Sequence, residues 1–108
     1  MAKKNYESAV QMIAVAGESK SRSLLAIEAA SRNKFEEAES LLQQASDHLD
    51  EAYRLQLDML NDEMEGKPVE ISILLIHAQN QLTMAVMAHE RAEESIHLYR
   101  IIFGTSNG

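Results

Sequence analysis

Ile71–Leu98 reads ISILLIHAQNQLTMAVMAHERAEESIHL, and its reading decides the fold. From Ile71 to Ala88 it holds no formal charge other than what His77 carries. Four polar side chains, His77, Gln79, Asn80 and Gln81, are set close together inside this apolar run. An ordinary amphipathic helix has one apolar stripe and one charged face. This segment is apolar nearly all round, so both sides of it need cover. A central helix is expected, covered partly by its own chain and partly by other copies.

Working outward, helix three is expected over about 69–103. One stripe contains Ile71, Leu74, Leu75, Ala78, Leu82, Ala85, Ala92, Ile96 and Tyr99, and is expected to pack within the chain. A second face holds Ile73, His77, Asn80, Met84 and Met87 and is left for a partner, most simply the same helix of another subunit. A trimer would close that face around an axis, but spacing alone does not choose between dimer and trimer. Gly104-Thr-Ser-Asn-Gly reads as a frayed end.

Upstream, Met64-Glu65-Gly66-Lys67-Pro68 is a break, with Gly as terminator and Pro near the next start. Helix two is expected over 35–64, with the stripe Ala38, Leu41, Leu42, Ala45, Leu49, Ala52, Gln56, Met59 and Leu60. Its other side carries Glu36, Glu39, Asp47, Asp50, Arg54 and Asp58, a wet surface. Asn33 suits a left-handed helix end, and its spacing to Glu36 also suits a capping box. Helix one is expected over 5–32, with Asn5 as N-cap and a stripe at Tyr6, Val10, Ile13, Gly17, Leu24 and Ile27. Gly17 suggests a close approach by another backbone. Ser19, Ser21 and Ser23 alternate with Lys20 and Arg22 as a polar patch, either a solvated face or a donor to a phosphate or an acidic partner. Short connections make the three helices an antiparallel up-down-up bundle, an all-α single domain over 1–108.

The chain has 108 residues, of which 45% are apolar, with three Tyr, two Phe and no Trp, so its core is aliphatic. Seventeen acids against ten Lys and Arg give a net charge of −7, which argues against nucleic acid and anionic membrane as partners. Cysteine is absent, which excludes disulfides and thiolate metal sites and fits a cytoplasmic location. Polar residues within the uncharged run make a membrane span costly. No Gly-rich phosphate loop, HExxH or other hydrolase motif stands out. His48 reads as a surface residue of helix two. His89, Glu93 and His97 share a helix face and suit a metal site or a polar, capping role. His77, beside amides in an apolar setting, reads either as a buried, satisfied histidine or as a nucleophile.

His77-Ala78-Gln79-Asn80-Gln81-Leu82, followed by Thr83-Met84, resembles the histidine motif of the lactose/cellobiose-type enzyme IIA of the bacterial phosphoenolpyruvate-dependent sugar phosphotransferase system. That motif usually reads HAQDHL. Ala16-Gly17-Glu18 with Ser21, the small residues from Ala26 to Ala30, Phe35-Glu36-Glu37-Ala38, and Leu49-Asp50-Glu51-Ala52 with Gln56 extend the likeness over most of the chain. The resemblance implies a phosphotransferase component that acts only within a relay. It implies a homotrimeric nine-helix bundle with the third helices round the axis, Asn80 and Met84 among them. His77 would take a phosphoryl group from the phosphohistidine of HPr and pass it to a cysteine of enzyme IIB, for a disaccharide of the cellobiose, lactose or chitobiose class entering through enzyme IIC. Gln79 and Gln81 would supply supporting hydrogen bonds. Two departures stand out. The family's aspartate, which can bind a divalent cation near the axis, is Asn80 here, so no tightly bound metal or other cofactor is expected. The family's second histidine is Gln81. Two other readings are a helical oligomeric interaction or regulatory module, and a two-component phosphotransfer domain, whose usual lysine and glycine after the histidine are missing.

Overall fold

A computed structural model describes residues 3–107, and side chains over 4–104. Three helices follow in order: α1 Lys3–Ser31, α2 Phe35–Met64 and α3 Ile73–Asn107. Among the described residues there is no strand. The helices lie side by side in a rod of 60 × 19 × 17 Å. The expected all-α three-helix bundle is what forms, and the bounds of α2 coincide with those read from the sequence.

Both short connections are built from the chemistry of helix ends. Asn33 adopts a left-handed φ of 62° after α1. Lys34 N then bonds Ala29 O at 3.0 Å and Asn33 N bonds Ala30 O at 3.0 Å, the paired pattern of a Schellman end. Gly66, φ 83°, closes α2 in the same way, with Lys67 N on Asp62 O at 2.8 Å and Gly66 N on Glu63 O at 3.1 Å. The capping box expected from Asn33 and Glu36 does not form. Asn33 is used to end α1, so the N-cap of α2 falls on Lys34, which makes no side-chain capping bond. Glu36 and Glu37 in the first turn still complement the helix dipole.

α1, not α3, is the helix packed against both others, while α2 and α3 touch each other little. Its buried face differs from the expected stripe. Asn5, Ala9, Met12, Ala16, Ser19, Ser23, Ala26 and Ala30 point inward, whereas Tyr6, Val10 and Leu24 are exposed. The physical reason is spacing between backbones. A helix held between two neighbours presents its small residues to them, because small side chains let helix axes come close, and larger side chains take the flanks. Ser19 and Ser23 are therefore fully buried rather than part of a solvated patch, and the Ser19 hydroxyl donates to Ala45 O of α2 at 2.8 Å. Asn5 is buried within α1 and is not its N-cap. Gly17 does not mark a close approach, since a Cβ there would meet nothing within 4 Å.

The core has two centres. The larger joins Met12, Val15, Leu49, Met59, Ala78 and Leu82, with Leu74 and Leu75 against it. The smaller joins Ala26, Ala30, Ala38 and Ile96, flanked by Phe35 and Tyr99. At that end Arg100 lies over the Phe35 ring at 4.7 Å and pairs with Glu39 at 3.0 Å. Leu60 and Ile71, assigned to core stripes, are exposed. Ile71 lies in the connection before α3, and Leu60 follows the buried Met59 on α2 and is turned away from the core.

Candidate functional site

α3 begins at Ile73 rather than Val69 because Ser72 caps it. Leu75 N donates to Ser72 Oγ at 3.1 Å and Ile76 N to Ser72 O at 3.0 Å. The helix also runs through Gly104 to Asn107 instead of stopping at Phe103. The cap places His77 one turn into a rigid helix rather than on a loop.

His77 is exposed. The sequence left open a buried, satisfied histidine, and the fold removes that option within the protomer. Among the described residues its imidazole has no hydrogen-bond partner and is open to a reactant. At 3.6 residues per turn, His77 lies about 60° round α3 from Asn80, with Gln81 about 40° further on. Gln81 is half-buried and Asn80 exposed, so these two amides flank the imidazole.

Gln79 does not flank it. It lies about 160° from His77 on the helix. Its Oε1 accepts a bond of 2.6 Å from Gln56 Nε2 of α2, and its backbone carbonyl accepts one of 3.1 Å from the Thr83 hydroxyl. The four polar residues of the motif thus divide between two faces, one tying α3 to α2 and one facing outward. Beside the Gln56–Gln79 bridge, a groove of about 360 Å³ runs between α2 and α3 past Met59, Leu60, Val69 and Leu75.

The outward face assigned to a partner is open along its length. Ile73 is 87% exposed and Met87 64%, and Met84 is exposed as well. Opposite it, Ala78, Leu82, Ala85, Ala92 and Ile96 are buried as expected. On the other histidines, His89 Nδ1 sits 3.2 Å from Glu93 Oε1, in a shallow groove with Leu42 and Ser46 of α2, while His97 is exposed and does not join them. His48 is half-buried rather than a free surface residue. Among the described residues no three His, Asp or Glu side chains converge on a metal position. None of the described helices is long and apolar enough to cross a membrane.

Sequence reading missed Ser72 as the cap that orients the site, although a serine just before an apolar helical run is a recognisable start signal. It placed Gln56 in a core stripe, without foreseeing its bond to Gln79.

Comparison with known proteins places the chain in a family. Residues 7–100 match the model of the family described as "PTS system, Lactose/Cellobiose specific IIA subunit". The lichenan-specific phosphotransferase enzyme IIA component of Bacillus subtilis is 35% identical over 92 residues, which cover 85% of this chain and 84% of that protein. The lactose-specific EIIA component of Streptococcus mutans is 30% identical over 90 residues, covering 83% and 86%. The crystal structure of a cellobiose-specific enzyme IIA from Bacillus anthracis superposes with a TM-score of 0.91 at 32% identity, covering 96% of this chain and 95% of that one.

Proposed function

The chain belongs to the lactose/cellobiose-specific enzyme IIA family of the sugar phosphotransferase system, and from that premise we propose that His77 is its phosphoryl acceptor. The observation that carries this reading is the exposure of His77 on a capped helix, between two amides and within the family's motif.

The chemistry is a pair of substitutions at phosphorus. A lone pair on one imidazole nitrogen of His77 forms a P–N bond as the P–N bond to the phosphohistidine of HPr breaks. The same phosphoryl group then leaves for the thiolate of a cysteine on enzyme IIB, forming P–S as P–N breaks. Such transfers depend on in-line positioning and on stabilising the charge of the equatorial oxygens more than on covalent machinery. An imidazole on the second turn of a long helix presents a fixed line of attack. Gln81 and Asn80 are placed to donate amide hydrogens to phosphoryl oxygens, whereas Gln79 supports the site by holding α3 against α2.

The remaining parts follow from the same reading. The chain works in the cytoplasm, and three copies associate through the outward face of α3, with Asn80 and Met84 near the axis. HPr is the donor, enzyme IIB the acceptor, and enzyme IIC the route of a disaccharide of the cellobiose, lactose or chitobiose class. We expect no tight divalent cation at Asn80, because an amide offers a neutral oxygen where a carboxylate would offer charge. Calorimetric titration with magnesium checks that point, and tight binding lost in Asn80→Ala would contradict it.

The relay itself is the test. A reconstituted mixture of enzyme I, HPr, this chain, its cognate enzyme IIB and phosphoenolpyruvate should phosphorylate enzyme IIB only when the chain is present. Replacing it with His77→Ala should stop transfer at HPr. Transfer that survives the substitution would refute the assignment.

A further inference from the structure

One flank of α1 opens onto the same side of the bundle as His77. Leu24 marks that flank, because it shares a groove of about 370 Å³ with Met87, Ala88 and Arg91 of α3. Tyr6 precedes Leu24 by five full turns at about 3.6 residues per turn, so the two point the same way, and Val10 lies about 40° from them. His77 is about 20° round α3 from Ala88, so it opens onto this flank as well.

The levels also agree. Lys4 pairs with Asp62 of α2 at 3.1 Å, and Gln56 of α2 donates to Gln79 of α3 at 2.6 Å. Leu60 of α2 shares a groove with Leu75 and Gln79. Followed from α1 through α2 to α3, these ties set His77 beside the turn from Tyr6 to Val10. Both of those side chains are exposed, Tyr6 at 54%.

We infer that the Tyr6 hydroxyl donates a hydrogen bond to the phosphoryl group while that group is carried on His77. This inference rests on the reading of His77 as phosphoryl acceptor, and it adds a donor from α1 to the amides of α3.

Of Tyr6 and Val10, only Tyr6 carries a side-chain donor. Packed helix axes lie about 8–10 Å apart, a gap that two side chains directed across it can close. Among the described residues the Tyr6 hydroxyl makes no hydrogen bond within the protomer, so it has no other partner to give up. A phosphoryl group in transfer spreads its charge over three equatorial oxygens. Asn80 and Gln81 approach those oxygens from α3, and Tyr6 approaches from α1.

All three donors are neutral. Lys4, two residues before Tyr6, is turned away to Asp62. Neutrality suits a carrier, which must release what it accepts. An ion pair would hold the bound phosphoryl group as firmly as it eased the transfer, whereas neutral donors hold it less. The phenol keeps its proton throughout, and the bonds made and broken are those at phosphorus.

The test compares wild type, Tyr6→Phe and Tyr53→Phe. Tyr53 is exposed on α2 and serves as the control. Circular dichroism establishes that each variant is helical. Each is brought to equilibrium with phospho-HPr, and intact mass gives the share of phosphoryl group on each protein. Tyr6→Phe keeps the ring and loses only the hydroxyl. It should lower the equilibrium constant for transfer to the chain about fivefold, with Tyr53→Phe at the wild-type value. The phosphorus-31 resonance of phosphorylated His77 should also move in Tyr6→Phe, which a loss of packing elsewhere would not cause. A wild-type equilibrium in Tyr6→Phe would overturn the role of the hydroxyl and leave the carrier reading standing. An equal fall in Tyr53→Phe, or a fall in Tyr6→Phe with an unmoved resonance, would overturn it too. A folded wild type that takes no phosphoryl group from HPr would overturn the carrier reading itself, and this inference with it.

Discussion

Gln56 Nε2 of α2 donates to Gln79 Oε1 of α3 at 2.6 Å, and this bond divides the histidine motif into a structural half and a reactive half. The bond is made where α2 and α3 otherwise touch little, beside an open groove. The buried face of α3 at Ala78 and Leu82 sets which way the motif faces, and the bond agrees with it. With Gln79 turned to α2, the period of the helix sends His77 outward.

Gln56→Ala should therefore cost stability more than chemistry. Losing one partly buried amide bond is worth about 1 kcal/mol. Chemical denaturation at fixed protein concentration measures the loss, and His77 should still accept phosphate at saturating donor. A variant of normal stability that cannot be phosphorylated would mean that Gln56 takes part in transfer.

Ser72→Ala should loosen the helix start on which His77 stands. Removing an N-cap side chain costs about 1 kcal/mol. Hydrogen exchange at the Leu75 amide should accelerate, because Ser72 Oγ is its acceptor, while exchange in α2 stays unchanged. Unchanged exchange at Leu75 would show that the cap is not maintained in solution.

Ser19 and Ser23 provide a paired contrast. Both are fully buried, but Ser19 bonds Ala45 O while Ser23 Oγ has no partner. Ser19→Ala removes a buried hydrogen bond between α1 and α2 and should destabilise by about 1 kcal/mol. Ser23→Ala removes a polar atom that gains nothing from burial, so stability should hold or rise. Thermal melts of the two variants side by side decide this, and equal losses would contradict the difference.

Charge should govern the approach of the donor. A chain of net charge −7 attracts a basic surface at long range, and that attraction is screened by salt. The rate of phosphorylation by HPr under dilute conditions should fall as ionic strength rises. A rate indifferent to salt would mean that docking depends on apolar contact alone.

Much of this architecture is legible in the sequence, and the parts that are not share a cause. The bounds of α2 are visible because Gly66 and Pro68 mark one end and the turn before Phe35 the other. The outward face of α3 is visible because large apolar residues at Ile73, Met84 and Met87 interrupt no core stripe. The inward face of α1 was hidden. Tyr6, Val10 and Leu24 give the stronger periodic signal, yet close packing selects Ala9, Ser19, Ser23 and Ala26. Hydrophobic periodicity finds the face that buries area, but not the face that lets two backbones approach. The split between Gln79 and Gln81 was hidden for a related reason: helical period separates them, but only the position of Gln56 on α2 shows which one is engaged within the protomer.

The most direct measurement is the intact mass of the protein after incubation with phosphoenolpyruvate, enzyme I and HPr, for wild type and His77→Ala. Wild type should gain one phosphoryl group, labile to acid and stable to base, and His77→Ala should gain none. A phosphoryl group on His77→Ala, or none on a folded wild type, would contradict the account.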